Sequence, residues 1–278
     1  MIINPCNANE VLSGKKLYIF DMDGTIYLGS RSFPFAVSFI NKLRRSGKRI
    51  VFFTNNASKN PSSYMNKLRS MGFNPESGEL FTAADVTIAY LKENHPDAKV
   101  YLVGTSGLWE QFRSAGINLS CDADGNLTEG NADIVVSSFD TTLVYKKLVH
   151  ACDFIREGAL YLCTHPDLNC PVENGFLPDS GAIAALITAS TGAEPEYFGK
   201  PCKSAADFIA NATGISSKDS CIFGDRLYTD IAMRAHGICS VLVLTGESTA
   251  PEAANMRNGT GPDFVFPSLA EVDALLFD

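Results

Sequence analysis

Short apolar runs alternate along this chain with stretches in which apolar residues recur every three or four positions, and that alternation predicts its elements. Leu17-Tyr18-Ile19-Phe20 is an unbroken apolar run bounded by polar residues, the mark of a strand buried on both faces. Helical spacing follows over residues 34–45, with Pro34 suited to a first turn and Gly47 to a stop. Residues 49–53 predict a second strand and residues 61–71 a second helix, closed by Gly72. Strand, helix, strand, helix with short links predicts parallel strands, and so an α/β fold built on a doubly wound parallel sheet.

From Phe81 the pattern restarts. Helices are expected over 83–93, 108–114 and 145–157, and strands over 99–103, 134–137 and 160–164. A turn-rich stretch, 165–180, follows. Beyond it lie helices over 182–191 and 204–213, a strand over 220–223, a helix over 230–236, strands over 239–244 and 264–266, and a closing helix over 269–276. Residues 1–14 read as a polar lead-in. The expected organisation is a core formed by residues 1–82 and 181–278, interrupted by an inserted α/β cap domain over 83–180. Inserted domains sit on loops at the functional edge of a sheet and can close over a site.

Composition narrows the function. With 278 residues, 45% of them hydrophobic, the chain can bury a sizeable core. Its net charge of −8 and lack of a basic run argue against nucleic acid or an anionic membrane as partner. The eight cysteines (Cys6, Cys121, Cys152, Cys163, Cys170, Cys202, Cys221 and Cys239) are scattered, with no Cys-x-x-Cys, and are expected as free thiols in a reducing cytoplasm. No apolar run reaches membrane-spanning length.

The chemistry gathers at predicted strand ends. Asp21-Met22-Asp23-Gly24-Thr25 leaves the first strand, at the edge where open parallel sheets bind ligands. Strand alternation sends Asp21 and Asp23 to one side, and Gly24 permits a tight exit close to an anion. Two acids so close repel, and a hard divalent cation such as magnesium relieves that repulsion. One carboxylate is then suited to attack phosphorus, the other to trade protons with a leaving group and water. Thr54-Asn55-Asn56 ends the second strand, Lys200 stands in a loop between Gly199 and Pro201, and Asp225 follows the strand over 220–223 with Asp230 five residues on. Phosphoryl transfer needs these types, because charge must be held on the equatorial oxygens and the reacting groups in line.

These words, in this order, resemble the haloacid-dehalogenase (HAD) superfamily, and within it the NagD-like branch that includes 4-nitrophenylphosphatases and pyridoxal-phosphate phosphatases. The matching stretches are Phe20 to Thr25, Thr54-Asn55-Asn56, Gly199-Lys200-Pro201, Gly224-Asp225-Arg226 and Thr229-Asp230-Ile231. The resemblance implies a HAD-type Rossmann-like core and a magnesium-dependent phosphomonoester hydrolase acting on a small phosphorylated metabolite through an aspartyl-phosphate. By the same resemblance Asp21 is the nucleophile and Asp23 the acid and base. Asp21, the Asp23 carbonyl and Asp225 hold Mg2+, with Asp230 supporting the metal site from close by, through water. Thr54, Asn55 and Asn56 lie in the phosphate-binding loop, and Lys200 neutralises charge on phosphate and on Asp21.

The family's cap carries substrate contacts on a loop that matches Thr164 to Pro171, which makes His165 and Asp167 candidate contacts. Where the pyridoxal-phosphatase branch has His before the Pro, this chain has Cys170, which counts against a vitamin B6 substrate. Caps of this kind also mediate dimers, so a homodimer through the cap is an expectation resting on the resemblance alone. Asp122, Asp124 and Glu129 do not fit an EF-hand spacing and read as a polar hairpin. A phosphomutase or phosphotransferase would use the same residues, and a regulatory protein that binds a phosphometabolite is the rival from another class. The acid at position 23 counts against the regulatory protein, and by resemblance to the family a cap of this size favours the hydrolase over the mutase.

Overall fold

The structure is a computed structural model that describes residues 7–172, 175–256 and 259–278; Cys6 and the start of the expected lead-in lie outside the described residues. Two compact units emerge, one of Met1–Thr54, Met65–Phe81 and Lys200–Asp278, the other of Asn55–Tyr64 and Thr82–Gly199.

The first unit holds a six-stranded sheet. From one edge to the other its strands are Phe264–Phe266, Cys239–Val243, Ser220–Gly224, Leu17–Phe20, Arg49–Thr54 and Leu80–Thr82. The central pairings are parallel, with Phe20 level with Phe223 on one side and Phe52 on the other. The chain therefore winds outward in one direction from Leu17–Phe20, then returns to Ser220–Gly224 and winds the other way. The reversal lies between those two strands, where α/β sheets of this kind place their ligands. Every residue of both strands is buried, which is why they read as continuous apolar runs. Tyr18, Phe20 and Phe223 stack at centroid separations of 5.9 and 5.1 Å, and Phe39 of the helix Pro34–Arg45 meets Phe20 edge-on at 6.1 Å. These offset and edge-to-face contacts fix the two strands that carry Asp21 and Asp225.

The second unit has a four-stranded parallel sheet in the order Glu196–Tyr197, Leu160–Cys163, Ile134–Ser137, Val100–Val103, and an antiparallel hairpin, Asn169–Val172 with Gly175–Pro178. The hairpin replaces the expected turn-rich stretch; its two prolines and its exposure hid it from the periodicity. The expected boundary at residue 180/181 is also corrected. The helix Ser180–Thr191 packs on the second unit's own strands, and Tyr197 pairs with Cys163, so this unit runs to Gly199.

Smaller differences have local causes. Part of the lead-in is a helix, Ala8–Ser13, tied down where the Tyr18 hydroxyl donates to the Leu12 carbonyl at 2.6 Å. The expected helix at 230–236 is a 3-10 turn, Ile231–His236, stopped by Gly237 at φ 83°. All seven described cysteines are free thiols. Asp122 accepts from Asp124 N, Asn126 N and Asn126 Nδ2, so its loop is closed by its own backbone. No helix among the described residues is long and apolar enough to cross a membrane.

A charge pair inside the second unit is wholly interior. Lys147 Nζ lies 2.7 Å from Asp140 Oδ2 and donates to the Gly104 carbonyl at 2.7 Å, with both side chains almost completely buried. Lys147→Met leaves Asp140 charged and unpaired inside the unit. It is expected to cost about 3–5 kcal/mol in urea unfolding, whereas an exposed pair such as Lys203–Asp207 would cost under about 1 kcal/mol.

Candidate active site

The loop after Leu17–Phe20 is wound tightly by its own backbone. Ile26 N donates to the Met22 carbonyl at 3.0 Å and Gly24 N to the Tyr27 carbonyl at 2.8 Å, while Asp21 N is held by the Phe223 carbonyl at 2.8 Å. Gly24 sits at φ 84°, open to glycine and strained for other residues, and a Cβ there would overlap the Asp225 carboxylate. A short hairpin, Tyr27–Leu28 with Arg31–Ser32, continues the loop.

Lys200 joins the acids. It is 1% exposed, and its Nζ reaches Asp21 Oδ1 at 2.5 Å, Asp230 Oδ1 at 2.7 Å and the Phe53 carbonyl at 2.9 Å. Asp230 is filled on both oxygens, because Oδ2 accepts from Arg226 N at 3.2 Å. Carboxylate oxygens of Asp21, Asp225 and Asp230 lie within 4.8 Å of one another. Three carboxyl groups thus gather around one ammonium, which is bonded to two of them, an imbalance of two negative charges when all three are ionised.

The ionisation equilibria follow from that imbalance. Burial pushes the Asp21 carboxyl well above the usual carboxylate range; Lys200 pulls it down, and Asp230 and Asp225 add repulsion. Burial, then repulsion from Asp230, pushes Asp225 up to about 7, against the Glu247 N–H that stabilises its anion. Burial alone would lower Lys200, but Asp21 and Asp230 overcome it and hold the ammonium charged. Asp23 is raised by burial, against Lys67, the Gly29 N–H and Arg226. Lys67 Nζ stands 4.0 Å from its Oδ2 and 3.8 Å from the Tyr27 ring centroid.

A divalent cation fits this donor set. Asp225 is 3% exposed, and its Oδ1 is a buried oxygen with no hydrogen-bond partner. An oxygen left so would cost free energy unless something takes it, and a hard cation beside surplus carboxylates is the fitting group.

The other sequence candidates fall as follows. Thr54 ends its strand in the first unit, buried at 8% exposure. Asn55 begins the second unit, where its Nδ2 donates to Asp167 Oδ1 at 3.2 Å. Asn56 Oδ1 accepts from Ser58 N, Ser58 Oγ and Tyr64 OH at 2.7–3.0 Å, so this oxygen closes a turn. His165 is fully buried, with Nδ1 at 2.9 Å from Thr164 Oγ1 and Nε2 at 3.0 Å from Asp179 Oδ1. Both ring nitrogens are engaged and brace its loop. Sequence reading missed the loop Thr245–Ser248. The only signal was a glycine at or within a few residues of a strand's end, as at Gly24 and Gly224.

With this geometry in place, the comparisons with known proteins become specific. A haloacid dehalogenase-like hydrolase model matches residues 18–118, and a HAD-hydrolase-like model matches residues 197–272. An acid sugar phosphatase of Staphylococcus aureus is 34% identical over 262 residues, 94% of this chain and 98% of that protein. This chain belongs to the haloacid dehalogenase-like hydrolases. A 4-nitrophenylphosphatase from Thermotoga maritima superposes with a TM-score of 0.87 at 38% identity, covering 95% of this chain and 98% of that one. NagD from E. coli K-12 gives 0.82 at 28% identity, covering 92% and 98%. The chain is thus an enzyme of the NagD-like branch of these hydrolases, among its phosphatases. The two family matches flank residues 119–196, most of the second unit.

Proposed function

We propose that this protein is a magnesium-dependent phosphomonoesterase for small phosphorylated metabolites, working through an aspartyl-phosphate. The convergence of Asp21, Lys200, Asp225 and Asp230 at the reversal of the parallel sheet carries the reading. Asp21 attacks phosphorus; an Asp21–phosphorus bond forms as the ester oxygen leaves, and Asp23 delivers the proton that oxygen needs. Asp23 then takes a proton from water, water attacks the phosphoryl group, and free Asp21 and inorganic phosphate result. Burial keeps Asp23 protonated to higher pH than a free carboxyl, which suits the first of its two tasks.

Lys200 holds Asp21 in place and balances charge on the phosphoryl oxygens. Thr54, at the end of the neighbouring strand, offers its hydroxyl, and Asn55 next in the chain its peptide N–H. Asp21, the Asp23 carbonyl and Asp225 would hold Mg2+, and Asp230 would steady them through Lys200 and Arg226 N. When bound, the metal offsets negative charge as it builds on the transferring phosphate.

Sugar phosphates come first among substrates, because a relative matched over 94% of this chain is an acid sugar phosphatase. The test is phosphate release from 4-nitrophenyl phosphate and a panel of sugar, nucleoside and glycerol monophosphates, with Mg2+ or with a chelator. Release that stops in the chelator and resumes with Mg2+ is expected. Metal-independent release would sink the reading, and so would tight binding of every panel member without turnover.

A further inference from the structure

We infer that the loop Thr245–Ser248 sets the cation selectivity of the site, by leaving Asp225 a single oxygen to offer. This rests on the metal-dependent reading above. Glu247 N donates to Asp225 Oδ2 at 2.7 Å, and Ser248 N to the Asp225 carbonyl at 3.0 Å. Ser248 Oγ accepts from Leu227 N at 3.2 Å, which binds the loop to the segment after Asp225. Thr245 Oγ1 donates to the Gly24 carbonyl at 2.6 Å, which binds it to the nucleophile loop.

The carboxylate lies between two glycine backbones. A Cβ on Gly246 or on Gly24 would overlap Asp225 Oδ2. Held from both sides, with Oδ2 taken by an amide, the group cannot turn to present both oxygens. Oδ1 remains, buried and without a partner. Asp21 shows the same division, with Oδ1 taken by Lys200. Each carboxylate therefore meets a cation through one oxygen. Mg2+ takes six ligands at short range and is content with single oxygens; Ca2+ takes six to eight and commonly uses carboxylates two oxygens at a time. The loop thus favours the smaller ion by denying the larger one its second oxygen.

The test is calorimetric titration of the substrate-free protein with Mg2+ and, separately, Ca2+. The native protein is expected to bind Mg2+ at least as tightly as Ca2+. In Gly246→Ala the added methyl displaces Asp225 from the Glu247 N–H, and the Mg2+-to-Ca2+ affinity ratio is expected to move toward Ca2+ by about tenfold. Glu247→Ala keeps the peptide N–H and is expected to keep the native ratio. Should Gly246→Ala fail to fold by circular dichroism, Thr245→Val loosens the same loop without inserting bulk and is expected to shift the ratio toward Ca2+ as well, by a smaller factor. A native protein that prefers Ca2+, or a folded Gly246→Ala or Thr245→Val with the native ratio, would overturn the inference. Asp225→Asn separates the two levels. Its one carboxamide oxygen goes to the Glu247 N–H and its NH2 faces the cation, so Mg2+ binding is expected to vanish. If it binds Mg2+ like the native protein, the reading of the metal site falls and this inference with it.

Discussion

Asp21→Asn is expected to abolish turnover, by at least about 10⁴-fold, while leaving the fold at least as stable as the native one. The carboxamide has the size of the carboxylate and keeps an oxygen for Lys200 Nζ, now 2.5 Å away. It has no anionic oxygen with which to open a phosphate ester. Stability moves the other way for an electrostatic reason. Burial raises the folded-state pKa of Asp21. A raised acid stabilises the fold only while it is protonated, at pH below its unfolded value, and that contribution is lost as pH climbs through the folded value. Once ionised the group is a burden, and a neutral isostere relieves repulsion from Asp225 and Asp230. The checks are steady-state phosphate release and the urea midpoint in chelator at neutral pH. Native-like turnover would remove Asp21 as nucleophile. A large fall in the midpoint would mean that the Lys200 ion pair outweighs the repulsion.

Lys200→Met is expected to damage stability and activity together. Lys200 is the only ammonium hydrogen-bonded to the three-acid cluster among the described residues, and it is buried beside the Phe53 ring, 5.4 Å from its centroid. A methionine fills the same space and leaves the carboxylates unbalanced. In chelator the expected cost is about 3–5 kcal/mol of unfolding free energy. Turnover with Mg2+ should fall by about 10²–10³-fold, as for removal of one preorganised stabiliser of developing charge. A divalent cation supplies part of the missing positive charge, so Mg2+ should raise the melting temperature of the variant more than that of the native protein. Equal melting temperatures in chelator would show that Lys200 is not what balances the acids.

The fold class and the strand-end acids were legible in the sequence because each rests on a short-range signal. An apolar run of four residues followed by Asp and Gly marks a buried parallel strand and its exit loop whatever the rest of the chain does. That Asp21 and Asp225 come together was decided by the pairing of their strands, which are level with each other in register.

What only the tertiary structure decided involves partners far apart in sequence. Asp140 and Lys147 look like ordinary loop and helix-surface charges, yet they form an interior pair because Gly104 and Gly125, over twenty residues away, close around the lysine. His165 looks like a loop histidine, and its burial follows from Asp179, fourteen residues on. The second unit reaches Gly199 because Tyr197 adds to the strand of Cys163. The hold on Asp225 needs Gly24, Gly246 and Glu247 to meet across more than two hundred residues. Periodicity reports which face of an element is apolar. It carries no information about which distant backbone comes to lie against a given carboxylate, because that contact is set by packing.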